Sequence, residues 1–167
     1  MAEPTTDEVF KQAVAAHKVG DLQTADRLYT AILQANPKHS DANHNLGLLA
    51  VGVNKAEAAL PFFKAALESN FSIAQFWHSY IDALIKLGRF NDAKALLTQA
   101  KAKGATGKPF AVLSKSIGLL EKAYKAKVQR CKKLFNDGSF QKIITISESL
   151  IRSYPNLFEP YILCASA

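Results

Sequence analysis

Three turn signals recur in this sequence at a fixed step. Residues 19–26 read VGDLQTAD, residues 53–60 read VNKAEAAL, and residues 87–94 read LGRFNDAK. Their turn residues, Gly20, Asn54 and Gly88, are 34 positions apart. Gly and Asn tolerate left-handed backbone, which ends one helix and lets the chain reverse. A fourth signal, NDGSFQKI, puts Gly138 a further 50 residues on, one period plus 16. A fixed period of this length calls for stacked copies of one small unit, so it constrains the fold before composition is considered.

Each turn separates two amphipathic stretches. Val9, Ala13 and Ala16 precede the first; Leu46, Gly47 and Ala50 the second; Trp77, Tyr80, Ile81 and Leu84 the third. Ala25, Tyr29 and Ile32, then Ala59, Phe63 and Ala66, then Ala93, Leu97 and Ala100 follow them. Steps of three and four are helical and not strand-like. Small residues such as Gly47, Ala59 and Ala93 let antiparallel helices approach, and Trp77, Tyr29 and Phe63 fill the space between. The pattern predicts helical hairpins over 6–35, 40–69 and 74–103, with Trp77 packed between helices. Pro37 ends one helix, and Ser40 and Asp41 are expected to cap the next. Asn54 with Glu57 reads as a capping box. Pro61, about two turns into its helix, removes one backbone hydrogen bond there and bends the helix.

The combination of a large residue, Leu-Gly, Gly-Asp, Ala, an aromatic and Pro at this step resembles the tetratricopeptide repeat. SDANHNLGLLAVGVNKAEAALPFFKAALESN and AQFWHSYIDALIKLGRFNDAKALLTQAKAKG carry the likeness most clearly. The resemblance implies an all-α, right-handed superhelical solenoid of antiparallel helix pairs, occupying 1–167 as one domain. Its units are 6–39, 40–73 and 74–104, a helical insertion at 105–123, and a degenerate repeat at 124–157 with Lys127, Ile143 and Ser147 at signature positions. Residues 158–167 read as the first helix of an incomplete repeat. Its apolar run, Tyr161 to Cys164, is expected to be covered by more chain or by a second molecule, giving weak self-association.

In this family the first helices line a concave groove that holds a protein or peptide partner. Carried over residue by residue, the groove takes Phe10, Val14, His17 and Lys18 from the first repeat. It takes Asp41, His44, Asn45 and Leu48 from the second, and Gln75, His78, Ser79, Asp82 and Lys86 from the third. Lys125, Gln129 and Lys132 continue it. Asn45 is the sharpest of these, since an amide there can bond a peptide backbone whatever its side chains. The Lys/Asn/Arg clamp that some relatives use for C-terminal carboxylates is not implied, because Phe10, Val14, Gln75 and Ser79 stand at its other positions.

Charge is uneven. Residues 1–100 hold nine Lys/Arg against ten Asp/Glu, and residues 101–167 hold twelve against four. The segment FAVLSKSIGLLEKAYKAKVQRCKKLF has helical periodicity, with Leu120, Tyr124, Val128, Cys131, Leu134 and Phe135 on one face. Lys122, Lys125, Arg130, Lys132 and Lys133 form a basic surface on the other. Lys127 falls in the apolar arc and has to snorkel. Such a surface reads either as the solvated outside of a packed helix or as a membrane-surface or nucleic-acid site. It lacks the interleaved aromatics that base stacking needs, so nucleic acid is not expected.

The sequence contains no phosphate-binding glycine loop and no Gly-x-Ser-x-Gly elbow. His44 and His78, 34 residues apart, are too few ligands for a metal site. No metal, cofactor or catalytic residue is expected. Cys131 and Cys164 read as small buried hydrophobes, which sets a reducing cytoplasm as the expected compartment. No stretch is long and apolar enough to span a membrane. The leading expectation is therefore a binding scaffold and not an enzyme. The alternative follows from a narrower resemblance to bacterial tetratricopeptide proteins, in which such repeats precede a glycosyltransferase, sulfotransferase or methyltransferase domain. On that view the chain is a substrate-recruiting arm.

Overall fold

The computed structural model describes residues 4–153, and these form eight helices and no strand. The first three hairpins are α1 (Thr6–Lys18) with α2 (Leu22–Ala35), α3 (Ser40–Gly52) with α4 (Ala56–Ser69), and α5 (Ala74–Lys86) with α6 (Phe90–Ala102). A 29-residue helix, α7 (Lys108–Asn136), and α8 (Phe140–Ser153) form the fourth. The expected helix at 158–167, with Cys164, lies outside the described residues.

The turn chemistry explains the boundaries. Gly20, Asn54, Gly88 and Gly138 all have positive φ, from 59° to 83°. Each stands just past a helix end, where left-handed backbone is needed to reverse the chain. The start signals differ from expectation. Asn54 does not form a capping box with Glu57, because its left-handed backbone belongs to the end of α3; the N-cap of α4 is Lys55, with no side-chain cap bond. Ser40 and Asp41 lie inside α3. Its cap is His39, whose Nδ1 accepts the Ala42 N–H at 3.2 Å. A true capping box forms instead at α1, where Thr5 and Glu8 bond reciprocally.

Packing follows the small-large alternation. Ala25, Ala59 and Ala93 are fully buried, and Tyr29 and Phe63 fill the space beside them. The core has two parts. One joins α1, α2 and α3 through Ala13, Tyr29, Ile32 and Leu46. The larger runs from α4 to α8 and contains Phe63, Trp77, Ile81, Leu97, Ile117 and Leu150. Trp77 is 5% exposed and lies within this second core. Pro61 sits inside α4 on its exposed side. Cys131 is buried, and the half-buried Lys127 reaches Ser149 of α8, its Nζ donating at 3.2 Å.

The first helices of the hairpins form one tier and the second helices another. α3 touches α5 and α5 touches α7, whereas α4 and α6 do not approach each other comparably. From α3 to α7 the first helices are therefore on the inside of the curve. α7 begins at Lys108, one 34-residue period after α5 begins at Ala74. Its N-terminal half takes the next place in the inner tier, burying Phe110, Leu113 and Ile117. The helix then overruns the α5–α6 turn. Glu121 pairs with Lys94 near the start of α6, and the Tyr124 ring lies 6.0 Å from that of Phe90, the first residue of α6. Beyond that point α7 pairs with α8. The 16 surplus residues are thus extra turns inside one continuous helix, and residue 123 falls in its interior.

Candidate functional site

The inner tier brings together most of the residues assigned to the groove. On α1, Phe10 is half-buried, its ring 6.0 Å from Tyr29 and 5.2 Å from His39. His17 meets Tyr29 edge-on at 6.1 Å, Val14 is half-buried and Lys18 exposed. On α3, Asp41 and Leu48 are exposed and Asn45 is half-buried. On α5, Gln75 and Lys86 are exposed, His78 and Asp82 are half-buried, and Lys86 pairs with Asp82 at 3.1 Å.

His44 and Ser79 lie beneath this surface. His44 is 6% and Ser79 7% exposed, and His44 Nε2 is hydrogen-bonded to Ser79 Oγ at 2.9 Å. Gln75 donates to the same Oγ at 3.2 Å. The imidazole also rests on Phe76, ring centroids 4.7 Å apart, and near Phe63 at 5.8 Å. The two 34-spaced histidines therefore part company. His44 becomes a bolt between α3 and α5, while His78 stays at the surface. Among the described residues no cluster of His, Cys, Asp or Glu could hold a metal ion.

Burial holds the His44 imidazole below its ordinary pKa, with Asp41 and Asn45 opposing part of the fall. Burial likewise raises the Tyr29 hydroxyl, which Asn45 partly counters without completing a hydrogen bond. Asn45 thus sits between two buried polar groups and the open groove. Because His44 is less basic folded than unfolded, its contribution to stability is present above the unfolded value, near 6.5, and is lost as pH falls through the folded value. Urea midpoints measured from pH 7.5 to pH 5 should decline on the acid side, and His44→Gln should flatten that decline. An identical decline in the variant would remove His44 as its cause.

The five residues of the basic surface, Lys122, Lys125, Arg130, Lys132 and Lys133, are all exposed, but not on one face. Lys125 bonds Glu121 at 2.7 Å on the side toward α6, and the two lysines around Glu121 hold its carboxyl below the usual range. Lys125, Gln129 and Lys132 lie on the overrunning half of α7, past the end of α5, and so do not continue the groove beside it. The sequence reading passed over Val112 and Leu119, 57% and 60% exposed on the inner-tier half. Counting one period from His78 of α5 leads to Val112, whereas Leu119 corresponds to the buried Ile85 and carried no such signal. It also passed over a crevice of about 330 Å³ between α4, α5 and α6, floored by Leu67, Trp77, Tyr80 and Leu96. At its mouth stands Phe71, 54% exposed, with the Lys103 ammonium 4.9 Å from its ring.

Stacked antiparallel hairpins at a 34-residue step, left-handed turn residues and an inner tier of first helices define a solenoid of tetratricopeptide type. No protein-family model and no curated protein matches the sequence. Solved structures of this fold do match. The tetratricopeptide domain of P58(IPK) superposes with a TM-score of 0.63 at 15% identity, over 94% of this chain and 43% of its own. MamA gives 0.62 at 18% identity, over 96% and 84%. The Yersinia enterocolitica type III secretion chaperone SycD, in complex with a peptide of the translocator YopD, gives 0.60 at 17% identity, over 75% and 96%. Among the described residues no helix is long and apolar enough to cross a membrane.

Proposed function

We propose that this chain is a non-catalytic scaffold that holds a protein segment in the groove of α1, α3 and α5. The observation that carries the reading is the setting of Asn45. Its amide is half-buried on the inner tier, beside Tyr29 and His44, with exposed Leu48 one turn along the same helix and exposed Gln75 on the neighbouring one. An amide held on a rigid helix can pair with a peptide backbone, and an aliphatic neighbour adds burial without demanding one sequence. SycD, of the same fold, was solved with a peptide bound, which supports a peptide as the class of partner.

The test is selection of displayed random peptides on the full chain, followed by affinity measurements on Asn45→Ala and Leu48→Glu. Losing a hydrogen bond or burying a carboxylate against an apolar contact should weaken selected peptides about tenfold. Circular dichroism would confirm that both variants remain folded. Selected peptides that bind both variants as tightly as the original chain would place the site elsewhere.

A further inference from the structure

α7 carries a long face that its packing does not use. Phe110, Leu113, Ile117, Val128 and Cys131 turn to the core. On the opposite side stand Lys108, Lys115, Lys122, Arg130 and Lys133, all exposed and seven, seven, eight and three residues apart. Val112 and Leu119 stand between the first three lysines on the same line, seven residues apart. Ala126 fills the remaining step. The line covers roughly 37 Å at 1.5 Å per residue.

Two properties separate this line from an ordinary solvated face. First, it is charged without compensation. Among the described residues no carboxylate pairs with any of its five cations. The one acidic residue within α7, Glu121, is on the other side and is held by Lys94 and Lys125. Second, two aliphatic side chains, Val112 and Leu119, stand well exposed on it between the lysines, where a partner helix can cover them while its own charges meet the cations.

We infer that this line docks an acidic amphipathic helix of a partner protein. The partner's aliphatic residues cover Val112 and Leu119, and its Asp and Glu side chains meet the lysines and Arg130. A bilayer is a poor occupant, because an interfacial helix buries a continuous apolar face, whereas this line offers two aliphatic residues, Val112 and Leu119, among five cations. Nucleic acid is disfavoured because the line offers no aromatic ring for stacking. This inference rests on the scaffold reading above, but uses a different helix from the Asn45 groove.

The experiment is fluorescence anisotropy on the full chain with a labelled synthetic helix carrying Leu at heptad spacing and Glu beside it. A second peptide has every Glu replaced by Lys. The acidic peptide should bind and gain helicity; the basic one should not. Lys115→Glu with Lys122→Glu should weaken binding by about tenfold or more, since charge reversal replaces attraction by repulsion. Leu119→Ser should weaken it too, and Leu48→Glu should leave it unchanged. Failure of the acidic peptide, while selected peptides still bind in a Leu48-dependent way, overturns the inference and leaves the groove reading standing. Failure of both kinds of peptide removes both. Binding that ignores Leu119→Ser, and that heparin or phosphatidylserine vesicles reproduce with the same dependence on Lys115 and Lys122, shows general anion attraction and also overturns it.

Discussion

Replacing Trp77 with alanine should lower the stability of this chain by about 3–5 kcal/mol, the range for truncating a large aromatic in a core. The side chain is 5% exposed and belongs to the cluster that joins α4, α5 and α6. Its indole N–H also donates to the Phe71 carbonyl at 2.7 Å, tying the loop after α4 to the helix that follows. Truncation removes both the packing and this tie. It also merges the vacated space with the adjoining crevice, so the walls have no short path to collapse. Trp77→Phe separates the contributions: most of the packing stays, and the lost hydrogen bond should cost about 1 kcal/mol. Urea unfolding followed by circular dichroism gives both values. A loss under about 1 kcal/mol for the alanine variant would refute the core placement of Trp77.

The hairpin boundaries were legible because they depend on local chemistry. Gly20, Asn54 and Gly88 are needed for their backbone, and the 34-residue step carries that need from one unit to the next. Helix starts were less legible because a cap is a competition among neighbours. Asn54 had the right side chain for a cap, but its left-handed φ of 59° had already assigned it to the end of α3. The groove was legible only as a surface address. His44 and His78 occupy equivalent places, yet His44 is buried because Phe76 and Ser79 of the next unit close over it. No periodicity within one helix carries information about the residue that arrives 35 positions later.

The helix α7 shows a different limit. Its amphipathic pattern made a helix plain, and its 16 surplus residues were visible in the spacing of the turns. What the pattern left open was the register in the stack. Aligning on the last turn puts the first helix of the fourth unit at 124, and aligning on α5 puts it at 108. The buried Phe110, Leu113 and Ile117 decide for the second. In that register Val112 takes the place that His78 has on α5, and Lys125 and Gln129 lie beyond the end of α5.

Gly47 should tolerate no side chain, although it lies in the middle of a helix where alanine is normally favoured by about 1 kcal/mol. A Cβ built there would meet Cε1, Cδ1 and Cζ of Phe63 at 2.5, 2.7 and 2.9 Å. The Phe63 ring is fully buried, with His44 and Tyr80 rings 5.8 and 6.3 Å away, so it has little room to yield. Overpacking of this kind costs about 1–3 kcal/mol, which outweighs the gain in helix propensity. Gly47→Ala should therefore be destabilising, and Gly47→Val should reach about 3 kcal/mol or more by adding bulk at the same contact. Gly52 provides the control within the same helix. A Cβ there meets nothing within 4 Å, so Gly52→Ala should stabilise slightly, by about 0.5–1 kcal/mol. The opposite signs exclude a general effect of alanine in α3. Shortening the ring by Phe63→Leu in the Gly47→Ala background should return part of the loss, which a double-mutant cycle would read as favourable coupling. Equal and stabilising effects at Gly47 and Gly52 would show that α3 and α4 do not approach as closely as this packing requires. Because the displaced ring leans on His44, beneath the proposed groove, the destabilised Gly47 variants should also weaken any peptide selected for the Asn45 site.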